Sequence, residues 1–154
     1  MHWSQYLFSF HGRVNRAKWW LLILLSILYT FVVFAACFAL LGFTGLFLGW
    51  ILTLLLIWPS IAIGVKRLHD RGKRGLWLLF FYLVPGILDA FNMAMFPDMM
   101  AHQGAMASPL SLLFSLAALA ITIWMIVELG VLRGTVGDNK YGPDPLAHLP
   151  PKTT

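Results

Sequence analysis

The chain has 154 residues, of which 60% are hydrophobic and only 11% are charged. Soluble domains carry roughly 25% charged residues, so this composition excludes an ordinary water-soluble globular protein. The formal net charge is +5, but the basic residues flank long apolar runs, which favours a membrane surface over nucleic acid as their partner. A single cysteine excludes an internal disulfide.

Four apolar segments are each long enough to cross a bilayer as a helix, which takes roughly 20 residues. They are residues 19–41, 46–65, 76–96 and 110–132. We therefore predict an all-α fold, an integral membrane four-helix bundle built as a single domain by residues 1–145. A polar and aromatic lead before the first span is typical of an interfacial segment, and residues 146–154 are predicted to be a flexible tail.

Glycine and proline suggest local features of these spans. Gly45 and Gly49 form a G-x-x-x-G pattern, which allows two helices to approach closely. Pro59 is predicted to kink the second span because its ring removes a backbone hydrogen bond. Pro85-Gly86 is predicted to break or bend the third span.

The distribution of charge predicts the orientation. In a four-span protein the two termini share a side with the loop between spans two and three. All eleven lysines and arginines fall on that side, and the two opposite loops have none. The positive-inside rule therefore predicts an N-in, C-in protein with a basic cytoplasmic cap.

Three short motifs surround the spans in a characteristic order. They are F-x-G-R-x-N-R-x-x-W-W from Phe10 to Trp20, P-x-x-A-x-x-x-K-R-L-H-D-R-G from Pro59 to Gly72, and G-x-N-x-Y-G-x-D-P from Gly137 to Pro145. Together they resemble domain-of-unknown-function family 805, small bacterial inner-membrane proteins. The resemblance covers nearly the whole chain and implies a fold and a location, the bacterial inner membrane, but no activity.

The basic stretch Lys66–Gly75 has two interpretations. As an anion site, its arginines would hold a phosphate or a lipid headgroup, and His69, which titrates near neutral pH, would transfer a proton with Asp70 nearby. As a collar, its cations would simply contact the anionic leaflet, which we favour because such charge runs commonly flank spans. The candidate residues for binding lipid or another anion are Arg13, Arg16, Lys66, Arg67, Arg71 and Arg74.

The three motifs share the predicted inner face, so they are expected to fold together as one cap. The residues assigned to this structural cap are Asp70, Asp138, Asn139 and Tyr141. Arg13 and Arg16 are expected to pair with an acidic residue of the cap. Our specific hypothesis is that Asp70 is the counter-ion of Arg13 or Arg16.

Glu128 is a carboxylate inside the fourth span, where an ionisable group is costly and therefore a candidate for function. It either relays protons or binds a substrate cation, or it pairs with Arg133 or an inner-loop arginine near the headgroups. A methionine-rich stretch, residues 93–106, would offer soft ligands to Cu(I), but its spacing is irregular and we assign no metal and no cofactor.

The sequence favours a non-enzymatic integral membrane protein whose cap contacts anionic lipid headgroups or a protein partner. A homo-oligomer is also considered. The alternatives are a small transporter or lipid-handling protein that uses Glu128 and the inner-loop cations, and a membrane enzyme acting on a phosphate-bearing lipid through His69 and Asp70. No nucleic acid partner is expected.

Overall fold

The computed structural model describes residues 7–101 and 109–147, with side chains for all of them except 95–101. Its helices are α1 (Arg16–Leu41), α2 (Phe43–Thr53), α3 (Ile57–Asp70), α4 (Trp77–Ala101) and α5 (Pro109–Ile126). A 3-10 turn, Leu54–Leu56, joins α2 to α3, and a π-helical turn, Val127–Val131, follows α5. Most of the methionine-rich stretch and most of the predicted tail lie outside the described side chains.

Four of these helical stretches are long and apolar enough to cross a membrane: Arg16–Leu41, Phe43–Asp70, Trp77–Ala94 and Pro109–Val131. Large apolar side chains are exposed along each stretch, including Phe31, Phe47, Leu83 and Leu113. An aqueous protein would bury such continuous apolar surface, whereas lipid tails solvate it. The predicted all-α membrane fold is confirmed.

The chain divides into two compact units, Met1–Gly75 with Arg133–Thr154, and Leu76–Leu132. In the first unit, α1 packs along α2 and α3. α1 begins directly after Asn15, whose side chain accepts a hydrogen bond from the Lys18 amide at 2.9 Å. An asparagine at this position satisfies one of the free N–H groups of the first turn.

The predicted close contact at Gly45 and Gly49 is confirmed within the first unit. Both glycines are buried against α1. A Cβ at Gly45 would overlap the Cys37 carbonyl, and a Cβ at Gly49 would lie 3.2 Å from the Phe34 ring. Small residues therefore let the two backbones approach.

The second span is irregular just before Pro59. The chain changes from α-helix to a 3-10 turn at Leu54–Leu56, then resumes as α3. Pro59 offers no N–H to the preceding turn, which accounts for a local change of hydrogen-bonding pattern at this depth.

In the second unit, α4 packs along α5. A break of the third span at Pro85-Gly86 does not occur, because α4 is helical throughout Trp77–Ala101. Membrane helices tolerate proline where neighbouring groups satisfy the freed carbonyl. Near the start of α4, the rings of Trp77, Phe80 and Phe81 all contact Trp124 of α5 with centroid distances of 5.4–5.8 Å.

Candidate functional site

The three sequence motifs meet at the C-terminal end of α3, within the first unit. From the lead, the Val14 amide donates to the Lys66 carbonyl at 3.3 Å. From the segment after the fourth span, the Thr135 amide donates to the Asp70 carbonyl at 2.8 Å. The stretch Phe43–Asp70 has 28 residues, more than the roughly 20 that cross the hydrocarbon core, and its apolar part ends at Val65. This contact region is therefore the charged end of the helix, outside the apolar part.

Asp70 is the centre of this region. One carboxylate oxygen accepts from Arg13 Nε at 3.1 Å, and the other accepts from Arg67 Nη1. Arg67 precedes Asp70 by three residues, so the two share a face of α3. We call Arg13, Arg67, Asp70 and Thr135 the Asp70 cluster.

The Arg13 guanidinium uses its remaining N–H groups on the loop after the fourth span. Nη1 donates to the carbonyls of Gly137 at 2.6 Å and Gly142 at 3.3 Å. Nη2 donates to the carbonyl and the hydroxyl of Thr135, at 2.6 and 3.1 Å. Arg13 thus ties three distant parts of the chain together and offers its donors to the protein itself.

The cluster is closely packed. Arg13, Arg67 and Asp70 are 8%, 0% and 3% exposed. Gly134 passes so close to Asp70 that a Cβ there would overlap the carboxylate. Thr135 can lie against the end of α3 only because residue 134 has no side chain.

The loop also satisfies carbonyls at the end of α3. Asn139 Nδ2 donates to the His69 carbonyl at 3.0 Å, and the Thr135 hydroxyl donates to the Asp70 carbonyl at 3.0 Å. The last carbonyls of a helix have no partner within it, so these bonds are C-terminal caps. Asn139 Oδ1 in turn accepts from the Tyr141 amide at 2.9 Å.

The loop is held in shape by its own acidic residues. Asp138 accepts from the Asp144 amide at 3.0 Å, and Asp144 accepts from the amides of Gly137 and Leu146, both at 2.9 Å. The amides of Leu146 and Gly137 lower the pKa of the Asp144 carboxyl. Burial raises the pKa of the Asp70 carboxyl, whereas the Arg67 and Arg13 charges oppose that rise and favour the carboxylate.

His69 lies beside the cluster with its ring flat against Tyr141, at a centroid distance of 3.8 Å and an interplanar angle of 6°. The ring makes a hydrogen bond to the Gly12 backbone. Its Nδ1 atom is buried and has no hydrogen-bond partner among the described residues. Burial lowers the pKa of the His69 imidazole, His11 and Lys140 act in the same direction, and the bond to Gly12 opposes them.

The six predicted anion-binding residues fall into two groups. Arg13, Lys66 and Arg67 are buried, whereas Arg16 and Arg74 are exposed and Arg71 is half-buried. Arg71 donates to the Arg133 carbonyl. Of these six, the second group alone presents its cations at the surface of the first unit.

The predicted cap residues lie together. Asp70 pairs with Arg13, whereas Arg16 is exposed at the first position of α1. Asp138 orders the loop through the Asp144 amide. The sequence does not single out Thr135 and Gly134, because a threonine and a glycine in a turn-rich segment carry no distinguishing pattern.

The hydrogen-bond partners and burial of His69 and Asp70 are relevant to the alternative in which these two residues catalyse a reaction. Both Asp70 oxygens are used by arginines, and the unpartnered histidine nitrogen is buried. In this arrangement the Asp70 carboxylate acts as the counter-ion of Arg13 and Arg67. Among the described residues there is no group of three or more His, Cys, Asp or Glu suited to hold a metal ion.

Glu128 belongs to the second unit. It is 3% exposed and lies in the π-helical turn Val127–Val131. Such turns inside helices occur frequently at functional sites.

Comparison with known proteins agrees with the resemblance seen in the sequence. The family described as "Protein of unknown function (DUF805)" matches residues 7–143. The chain is 36% identical to uncharacterized protein YiiR of Escherichia coli K12 over 146 residues, covering 92% of this chain and 88% of that protein. It is 28% identical to inner membrane protein YhaH of the same organism over 149 residues, covering 89% and 87%.

A third relative, inner membrane protein YhaI of Escherichia coli K12, is 27% identical over 137 residues, covering 89% of this chain and 86% of that protein. No solved structure matches the chain. Two relatives that carry the inner membrane in their names, together with four helices able to cross a bilayer, identify a multi-pass protein of the bacterial inner membrane. The chain belongs to the DUF805 family.

Proposed function

We propose that this chain is a non-enzymatic inner-membrane protein whose three motifs form a cytoplasmic cap, with its exposed cations on the anionic inner leaflet. The observation that carries the proposal is the Asp70 cluster. Arg13 and Arg67 form ion pairs with Asp70, and Arg13 also donates hydrogen bonds to backbone carbonyls of the loop. These bonds join the lead, α3 and the loop. Arginines whose donors are bonded within the protein stabilise the folded cap and are not available to act on a substrate.

The proposed lipid contact involves the cations that remain at the surface. Arg16 begins α1 and Arg74 follows the end of α3, and both are exposed. Each such cation near an anionic leaflet contributes about 1 kcal/mol of attraction. A basic collar also agrees with the N-in, C-in orientation, which we retain as part of the proposal.

The lipid contact can be tested by counting bound lipids. The protein is reconstituted in phosphatidylcholine with a minority of phosphatidylglycerol, extracted in mild detergent and examined by native mass spectrometry. We expect the wild type to retain phosphatidylglycerol preferentially and the double variant Arg16→Gln/Arg74→Gln to lose that preference. The comparison variant Lys140→Gln/Lys152→Gln removes the same charge from the segment after the fourth span and is expected to lose less of that preference. Equal retention of both lipids by the wild type would contradict the proposed contact.

A second candidate, transport through the second unit, is favoured by one observation. Glu128 is buried in a π-helical turn at the end of an apolar helix, a position where carboxylates often carry protons or cations. Asp89 is a carboxylate of α4 and serves as the control position. A proton or cation flux into proteoliposomes that is lost in Glu128→Gln and retained in Asp89→Asn would support transport over the structural role.

A further inference from the structure

The His69 ring has an unusual environment beside the Asp70 cluster. Its Nδ1 atom is buried and meets no hydrogen-bond donor or acceptor among the described residues. Nδ1 faces no acceptor, and the Gly12 backbone is the ring's hydrogen-bonding neighbour, so the single proton of a neutral ring is best placed on Nε2. The closed structure therefore fits neutral imidazole with its proton on Nε2.

Protonation would place a second N–H on this ring, at Nδ1. That new donor would be buried with no acceptor, which is costly. The charges whose fields reach the ring add to the cost: His11 comes from the lead, and Lys140 comes from the loop. On its own helix the ring is flanked by the cluster residues Arg67 and Asp70, whose charges already pair with each other.

One interaction acts in the opposite direction. The Tyr141 ring is stacked on His69, and an aromatic face attracts a cation. At a partly solvated site this attraction is smaller than the loss from a buried donor without an acceptor, and Lys140 and His11 both act against a charged His69 ring. The balance thus favours the neutral ring while the loop is closed.

We propose that His69 is a pH-responsive latch, whose protonation opens the loop segment 134–144 away from the end of α3. The loop is the part that can respond, because it meets His69 on two sides. Tyr141 covers the ring and Asn139 binds the His69 carbonyl. Swinging this loop away exposes Nδ1 to water, so that the nitrogen can accept a proton.

The direction of the pH effect follows from the pKa. Burial lowers the pKa of His69 in the closed form, so the open form binds the proton more tightly. The closed form has its full stability advantage over the open form above the ordinary histidine pKa of about 6.5. It loses this advantage as the pH falls through the lowered pKa of His69. Acidification of the cytoplasmic side would therefore release the loop.

Hydrogen exchange of the full-length protein in detergent micelles tests the latch. Amides of residues 134–144 are compared at about pH 8 and about pH 5.5, after correction for intrinsic exchange. In the wild type we expect this segment to open severalfold more often at the lower pH, because the open form binds the proton more tightly. The variant His69→Gln keeps a side-chain N–H beside the Gly12 backbone, but glutamine does not titrate. Protection of residues 134–144 from hydrogen exchange in this variant should therefore be independent of pH.

Two controls separate protonation of His69 from any effect of its neighbour His11 and from misfolding of a variant. His11→Gln removes the neighbouring histidine and should leave most of the pH response in place. Direct titration of the His69 ring in the wild type by NMR does not depend on whether a variant folds. A ring that titrates at or above about pH 6.5, or an equal pH response in wild type and His69→Gln, would overturn the latch.

The latch rests on the closed cap proposed above, but the hydrogen-exchange experiment distinguishes an error in the latch from an error in the cap. If residues 134–144 exchange freely in the wild type at about pH 8, the cap itself is absent. If they are protected at both pH values, the cap stands and only the latch is wrong.

Discussion

At the scale of single residues, one carboxylate serves two guanidinium groups. Arg13 arrives from the lead and Arg67 from the preceding turn of the same helix, and all three side chains are buried. A buried ion pair adds little net stability over a well-packed apolar set, because desolvation offsets the attraction. Removing one partner is different, since it leaves the remaining charge buried and uncompensated.

Replacing Asp70 with asparagine is therefore expected to destabilise the protein strongly. The amide keeps the shape but not the charge, so Arg13 and Arg67 lose their counter-ion. We expect a loss of about 3–5 kcal/mol in the free energy of unfolding, measured by denaturant titration in detergent. Asp138→Asn is the matched control, because its side-chain oxygen still accepts from the Asp144 amide, and it should change stability by less than about 0.5 kcal/mol. Similar stabilities of the two variants would show that the Asp70 cluster is not a structural centre.

At the scale of elements, α3 is completed by segments remote in sequence. The carbonyl of Lys66 is bound from the lead, and those of His69 and Asp70 are bound from the loop. The end of the helix and the order of the loop therefore depend on each other. The Thr135 side chain links the two directly. Its hydroxyl donates to the Asp70 carbonyl and accepts from Arg13 and Asn139.

Thr135→Val tests this dependence with little change in volume. The backbone bonds of residue 135 remain, whereas the hydroxyl bonds disappear and leave an Arg13 donor under-satisfied. We expect a loss of about 1–3 kcal/mol, with faster hydrogen exchange at Thr135 itself and at the end of α3. Among the described residues, the Thr122 hydroxyl bonds the Ala118 carbonyl of its own helix, so Thr122→Val should be nearly neutral. Unchanged exchange in Thr135→Val would mean that the backbone bonds alone hold the loop.

The sequence predicts where the helices lie better than it predicts which residues form ion pairs and hydrogen bonds with each other. Apolar length identifies the four spans, and small residues at Gly45 and Gly49 indicate the close helix contact. The sequence leaves the choice between Arg13 and Arg16 open, because both share the predicted inner side. Asn15 as a helix N-cap separates the two, since it starts α1 at Arg16 and leaves Arg13 in the lead.

Thr135 and Gly134 have no such signal. Their importance comes from tertiary contacts with Asp70, which Thr135 reaches across a sequence separation of 65 residues, and no local spacing encodes that meeting.

At the scale of the whole molecule, charge is distributed unevenly along an apolar chain. All eleven lysines and arginines fall before the first span, between spans two and three, or after the fourth. The loops between spans one and two and between spans three and four contain none. Moving a basic loop across the membrane during insertion is disfavoured, so this asymmetry predicts one orientation.

The proposed N-in, C-in topology gives definite expectations for reporter fusions. A fluorescent protein joined after Thr154 should fold and fluoresce, and alkaline phosphatase at the same position should be inactive, because that enzyme matures only outside the cytoplasm. Phosphatase inserted within residues 102–108, between the third and fourth spans, should be active. The asymmetry of charge is the cause, so adding four lysines to residues 102–108 should reduce the phosphatase activity there, whereas four glutamates should not. An active phosphatase after Thr154 would place the Asp70 cluster on the outer face, where a cytoplasmic pH latch and contact with the inner leaflet are both impossible.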